Sequence, residues 1–138
     1  MRLQKPYAQA ADEVKAMLTE YCIKLKNTAR FAKDAEGNMK TIYQSWQKTS
    51  ATRKVNSLYK KSVDCEKCGN TGYRGRVGLH ELLESTYSVR RNIQEHARVE
   101  EIFATGLEEG MRTLKQNGIE KVLQGITDMK QVSAVCIK

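Results

Sequence analysis

No Gly-Lys pair occurs anywhere in the 138 residues. A phosphate loop of the G-x-x-x-x-G-K-[ST] kind needs that lysine for the terminal phosphates and the next hydroxyl for magnesium, so the chain has no such nucleotide site of its own. A second Cys-x-x-Cys to match Cys65-x-x-Cys68 is also missing. A structural zinc takes four ligands, usually from two such pairs, so this pair is half a site. No stretch approaches the roughly 18 consecutive apolar residues of a membrane span, and any membrane association is expected to be peripheral. Aromatics make up 7% of the chain and do not alternate with basic residues, which withholds the stacking platform that single-stranded nucleic acid needs. The four cysteines are irregularly spaced and no signal-peptide pattern precedes them. They read as thiols of a reducing, cytoplasmic compartment rather than a disulfide framework.

What is present suffices for one domain or two small subdomains: 40% of residues are hydrophobic. The net charge of +8 is lopsided, because residues 1–64 carry 13 Lys and Arg against 6 Asp and Glu, and the rest carry 11 against 10. A basic half attracts nucleic acid, anionic headgroups or acidic protein patches, or is simply a solvated face.

Apolar residues Val14, Met17, Leu18, Tyr21, Cys22 and Leu25 recur three and four apart, which predicts a helix over about 10–26 with Cys22 packed inside it. "KDAEGN" reads as a polar turn, followed by a short helix over about 39–48 carrying Ile42, Tyr43 and Trp46, then by a loop. "NSLYKKSV" suits a short strand leading into the cysteine turn. In that turn Gly69 lets backbone amides approach the sulfurs, and Gly72, Gly75 and Gly78 allow tight turns or bulges. "RVGLHELLE" alternates Val77, Leu79, Glu81 and Leu83 with Gly78, His80 and Leu82, as a strand covered on both faces does. Helices are expected over about 86–96, from Val99 to about 109, and through Met111 to Leu123 with Gly125 as a left-handed cap. A last short helix capped by Thr127 turns Met129, Val132 and Val135 inward, leaving Cys136 near a frayed end.

"LYKKSVDCEKCGNTGYRGRVGLHELLE", followed in order by "SVRRNIQ", "EEGMRTLKQNGIEKVLQGIT" and "MKQVSAV", resembles the C-terminal region of type II secretion and type IV pilus assembly ATPases. "RLQKPY" is similar to the segment that follows the first cysteine pair in that family, but only Gln4 stands between Leu3 and Lys5-Pro6-Tyr7 where the pair belongs. The resemblance implies a hexameric motor with a RecA-like core that uses ATP and magnesium, of which this chain carries only the region after the core. The implied fold is mainly α with a small β component: a cysteine-motif subdomain over 1–75, lacking its first pair, then a sheet-edge strand and helical subdomain over 76–138.

On this reading Arg76, Glu81, Arg90, Arg91 and Asn92 contact the RecA-like core or neighbouring subunits, or else make weak exposed ion pairs. The expected partners are that core, the adjacent subunits and inner-membrane secretion or pilus platform proteins, with no specific nucleic acid. Cys65 and Cys68 are expected to hold zinc weakly or not at all, with Cys22, His80 and Cys136 poorly placed to complete a tetrahedron. A different class is suggested by Cys65-x-x-Cys68-Gly69 beside a basic half: a small zinc-ribbon-like nucleic-acid-binding module. A chaperone-type cysteine knuckle is a third reading, weakened by having one repeat.

Overall fold

A computed structural model of the chain describes residues 5–7, 11–50, 59–61 and 66–136. Seven α-helices carry the fold among these residues: α1 (Ala11–Cys22), α2 (Ala29–Ala32), α3 (Ala35–Ser50), α4 (Tyr87–Gln94), α5 (Val99–Glu108), α6 (Leu114–Leu123) and α7 (Met129–Val135). Short 3-10 turns at Leu25–Asn27 and Glu66–Cys68 join them. A three-residue antiparallel ladder pairs Lys5–Tyr7 with Tyr59–Lys61.

Helix boundaries follow local chemistry. Thr113 accepts from the Gln116 amide while the Gln116 side chain accepts from the Thr113 amide, a reciprocal cap that starts α6. At its end Gly125 takes φ +73°, and the amides of Gly125 and Ile126 return to the carbonyls of Val122 and Lys121. The predicted glycine cap is thus in place. Asp128, not Thr127, caps α7 by accepting from Gln131 N at 2.9 Å. Thr86 caps α4 through Val89 N.

The core is one cluster that draws on most of these helices. Met17, Tyr21 and Cys22 of α1 meet Ile119 and Val122 of α6, with Leu25, Phe31, Trp46, Leu107, Val132 and Cys136 around them. Trp46 stands edge-on to Tyr21, ring centroids 5.2 Å apart at 89°. Gln116, 2% exposed, is tolerated at the centre because its amide nitrogen donates to the Tyr21 carbonyl at 2.9 Å.

Several expectations are corrected. The fold class, mainly α with a small β component, gives way to an all-helical packed body. Residues 77–83 form no strand: the backbone is extended but pairs with no ladder, and Val77, Leu82 and Leu83 are exposed. Alternation in sequence was satisfied without a sheet because the segment lies along a helix. "KDAEGN" is mostly helix, since the Asp34 carboxylate accepts from Gly37 N at 3.0 Å and starts α3 at Ala35. A Cβ at Gly37 would collide with that carboxylate, so the apparent breaker serves the cap. Cys136 is buried against the core rather than frayed, its backbone amide donating a hydrogen bond to the Val132 carbonyl at 2.9 Å.

Candidate docking surface

Residues 77–84 run as an extended arm across α6. Lys121 Nζ donates to the Gly78 carbonyl, His80 N donates to Asn117 Oδ1 at 3.2 Å, and Leu114 N donates to Glu81 Oε2 at 2.8 Å. The two backbones run antiparallel and are commensurate. Three extended steps from 78 to 81 advance about 10 Å, and the seven helical steps from 114 to 121 advance about 10.5 Å. Leu79 packs against the core, and Leu83 reaches α5, where a Cβ added at Gly106 would lie 2.6 Å from its Cδ1. Polar groups of one helix therefore hold the arm from below and leave Val77 and Leu82 exposed among polar neighbours such as His80. Leu82 is 68% exposed, and Tyr87 at the start of α4 is 75% exposed.

Helix α4 is fixed to α5 by two polar ties. Asn92 Nδ2 donates to Thr105 Oγ1 at 2.8 Å, and the Thr86 hydroxyl donates to the Glu109 carboxylate. Hydrogen bonds from Thr86 and Ser88 hold the Glu109 carboxyl below its usual range. Arg91 turns outward and pairs with Glu95 at 2.8 Å one turn on, which raises its already high pKa. Arg90 is exposed.

The interface candidates read from sequence thus separate. Glu81 caps α6 and Asn92 ties α4 to α5, whereas Arg76, Arg90 and Arg91 are exposed cations. Arg76 lies just before the arm and is not drawn into its bonds to α6. Sequence reasoning missed Asn117 and Lys121, four apart on the face of α6 beneath the arm; their i,i+4 spacing was the only signal, and it does not set them apart from the other polar residues of that helix.

Of the cysteine pair, Cys65 lies outside the described residues. Cys68 Sγ accepts from Gly72 N at 3.2 Å, so an amide does approach the sulfur, from Gly72 rather than Gly69. The turn is anchored on α7 by the Tyr73 hydroxyl, which donates to Asp128. Among the described residues no three His, Cys, Asp or Glu side chains gather to hold a metal. Cys22 and Cys136 are in the helical core, where burial pushes both thiols up and disfavours the thiolate a metal needs. The donor set described does not fit a closed zinc site. Among the described residues, no helix is long and apolar enough to cross a membrane.

Comparison with known proteins gives the same direction as the order of motifs. The family described as "Type II/IV secretion system protein" matches residues 13–134. The type IV pilus assembly ATPase PilB of Thermus thermophilus is 41% identical over 78 residues, 56% of this chain and 9% of that protein. PilB of Pseudomonas aeruginosa is 38% identical over 73 residues, 53% of this chain and 13% of that protein. Type II secretion system protein E of Dickeya dadantii is 44% identical over 71 residues, 51% of this chain and 14% of that protein. These alignments span about a tenth of the length of the relatives. No solved structure gave a significant match. The chain belongs to the Type II/IV secretion system protein family.

Proposed function

We propose that this chain is a C-terminal contact region of a secretion or pilus-assembly motor ATPase, without a nucleotide site of its own. The carrying observation is the arm: an extended backbone fastened from below, with Leu82 left 68% exposed on the outside. Extended backbone that belongs to no ladder, beside exposed apolar side chains, can recruit a strand or sheet edge through the groups its helix contacts leave over. The natural recipient is the RecA-like core that the family resemblance implies, and ATP with magnesium would act there. Arg76 and Arg90, and Arg91 with its exposed Glu95 partner, would serve contacts with that core or with neighbouring subunits, while Glu81 and Asn92 shape the surface. Inner-membrane platform proteins are the proposed partners at the assembly level, placing the chain in the cytoplasm at the membrane face. Family membership favours this reading over a nucleic-acid-binding cysteine module.

The test uses the purified RecA-like core of a pilus-assembly relative. The chain should associate with it, and Leu82→Asp should weaken association by about tenfold or more, the scale of losing one buried leucine contact. Association unchanged by Leu82→Asp, or none at all, overturns the arm's role. ATP binding or hydrolysis by the chain alone overturns the absence of a nucleotide site.

A further inference from the structure

A cleft of about 530 Å³ opens between α1, α2 and α3 on one side and the α5–α6 region on the other. It is remote in sequence from the arm and has a different chemistry. Its floor is aromatic and aliphatic, from Tyr21, Phe31, Ile42 and Trp46, and its polar rim includes Arg30 and Arg112. The size falls within the roughly 300–1,000 Å³ usual for small-molecule sites.

Charge accounting decides what the rim can accept. Two carboxylates face the cleft, and both have internal partners. Glu120 Oε1 accepts from the Tyr21 hydroxyl at 2.7 Å and lies 3.5 Å from Arg112 Nε. Glu108 Oε1 accepts from the backbone amide of Arg30 at 3.2 Å. The Tyr21 phenol is held neutral by burial and by its bond to Glu120. Arg112 spends one terminal nitrogen on the carbonyls of Gly110 and Met111, and its side chain remains 41% exposed. The Arg30 guanidinium has no ion pair among the described residues and is exposed. Arg30 and Arg112 thus balance Glu108 and Glu120 in formal charge, and the cleft combines an apolar floor with one guanidinium, Arg30, whose donors no carboxylate of the described residues takes up.

We propose that this cleft binds an amphipathic anion, with a flat apolar body on the Phe31, Ile42 and Trp46 floor and an anionic head on the Arg30 and Arg112 side. Arginine suits the head because its planar fork pairs with carboxylate, sulfonate or phosphate oxygens. Aromatic edges and faces suit the body.

Trp46 is the sole tryptophan of the chain, so its fluorescence reports on the cleft directly. The probe is 1-anilinonaphthalene-8-sulfonate, compared with N-phenyl-1-naphthylamine, which has the same aromatic body without the sulfonate. One saturable site per chain is expected, with Trp46 emission quenched on binding and the neutral analogue bound more weakly. Arg30→Gln should weaken sulfonate binding by about fivefold or more, as expected on losing a charge-assisted hydrogen bond. Its affinity for the neutral analogue should not change. Ser45→Phe, an exposed cleft position on α3, should weaken both probes by about tenfold through filled space. Should Ser45→Phe lose its helical circular-dichroism signal, Arg30→Gln with the two probes still decides. Non-saturable binding, equal affinity for both probes, or sulfonate binding indifferent to Arg30→Gln overturns the proposal.

Discussion

The Tyr21 hydroxyl donates to Glu120 Oε1 at 2.7 Å across 99 residues of sequence. With the Gln116 side chain donating to the Tyr21 carbonyl, residue 21 is bonded to α6 through both its backbone and its ring. The first helix and the sixth are thereby fixed in rotation as well as in distance.

Alkaline titration should single out Tyr21. Burial first, then the Glu120 acceptor, raise its pKa well above the ordinary phenol value near 10. The folded state thus holds this proton more tightly than the unfolded chain. Stability from this source is complete below about pH 10 and falls as pH rises from there toward the folded value. Ultraviolet absorbance should show Tyr21 ionising only with unfolding, and Tyr21→Phe should flatten the loss of stability above about pH 10. Ionisation of every tyrosine at the ordinary value in folded protein would contradict this.

Gln116→Met should cost about 1–3 kcal/mol in urea unfolding. Volume is nearly preserved, but the Tyr21 carbonyl and the Thr113 amide lose their partner in or near the core. A change under about 0.5 kcal/mol would mean that other groups or water replace both bonds.

Gly118→Ala sets two effects against each other. Alanine gains about 1 kcal/mol of helix propensity over glycine, but its Cβ would lie 2.5 Å from Val132 Cγ1 and 3.3 Å from Val132 Cβ. Overpacking of this kind costs about 1–3 kcal/mol. Valine in a helix has little rotamer freedom to escape, so net destabilisation is expected. Combining Gly118→Ala with Val132→Ala should be less harmful than the sum of the single changes, a coupling read from a double-mutant cycle of chemical melts.

On α4, Asn92→Ala should lower stability by about 1 kcal/mol through loss of the bond to Thr105. Arg91→Ala should leave the melt nearly unchanged, because its pair with Glu95 is exposed. If the arginine serves a contact with another subunit, its substitution should register in assembly assays alone. Equal destabilisation by both changes would refute the division.

Chelator should not lower the melting temperature of the chain, and native mass spectrometry should show no tightly held zinc. The buried thiols of Cys22 and Cys136 are committed to the helical core. A melt lowered by chelator, with one zinc per chain, would place ligands outside the described residues.

Much of the helical part was legible because its signals are local. The stripe from Met17 to Leu25, the glycine after α6 and the apolar spacing of α4 and α5 each follow from contacts within one turn or two. The family was legible for another reason, since several motifs in one order constrain far more than any one of them. The arm was not legible. Its alternation satisfies the rule for a strand, but pairing is a property of what lies alongside, and the neighbour is a helix offering Asn117 and Lys121. Cys136 was misplaced on similar grounds, because nearness to the end of the sequence says nothing about what the last turn packs upon. The cleft also escaped notice, since Arg30, Trp46 and Arg112 belong to segments that no periodicity connects.

The three fastenings of the arm lie in a row along its length, at Gly78, His80 and Glu81, and all end on the same helix. A load applied along the arm is consequently shared by the row in shear, so the bonds must give together. A load applied outward meets them singly and peels them in turn. The arm is therefore stiff to an axial pull and weak to a lifting one, so the direction of a force decides whether α6 moves with the arm or lets it go.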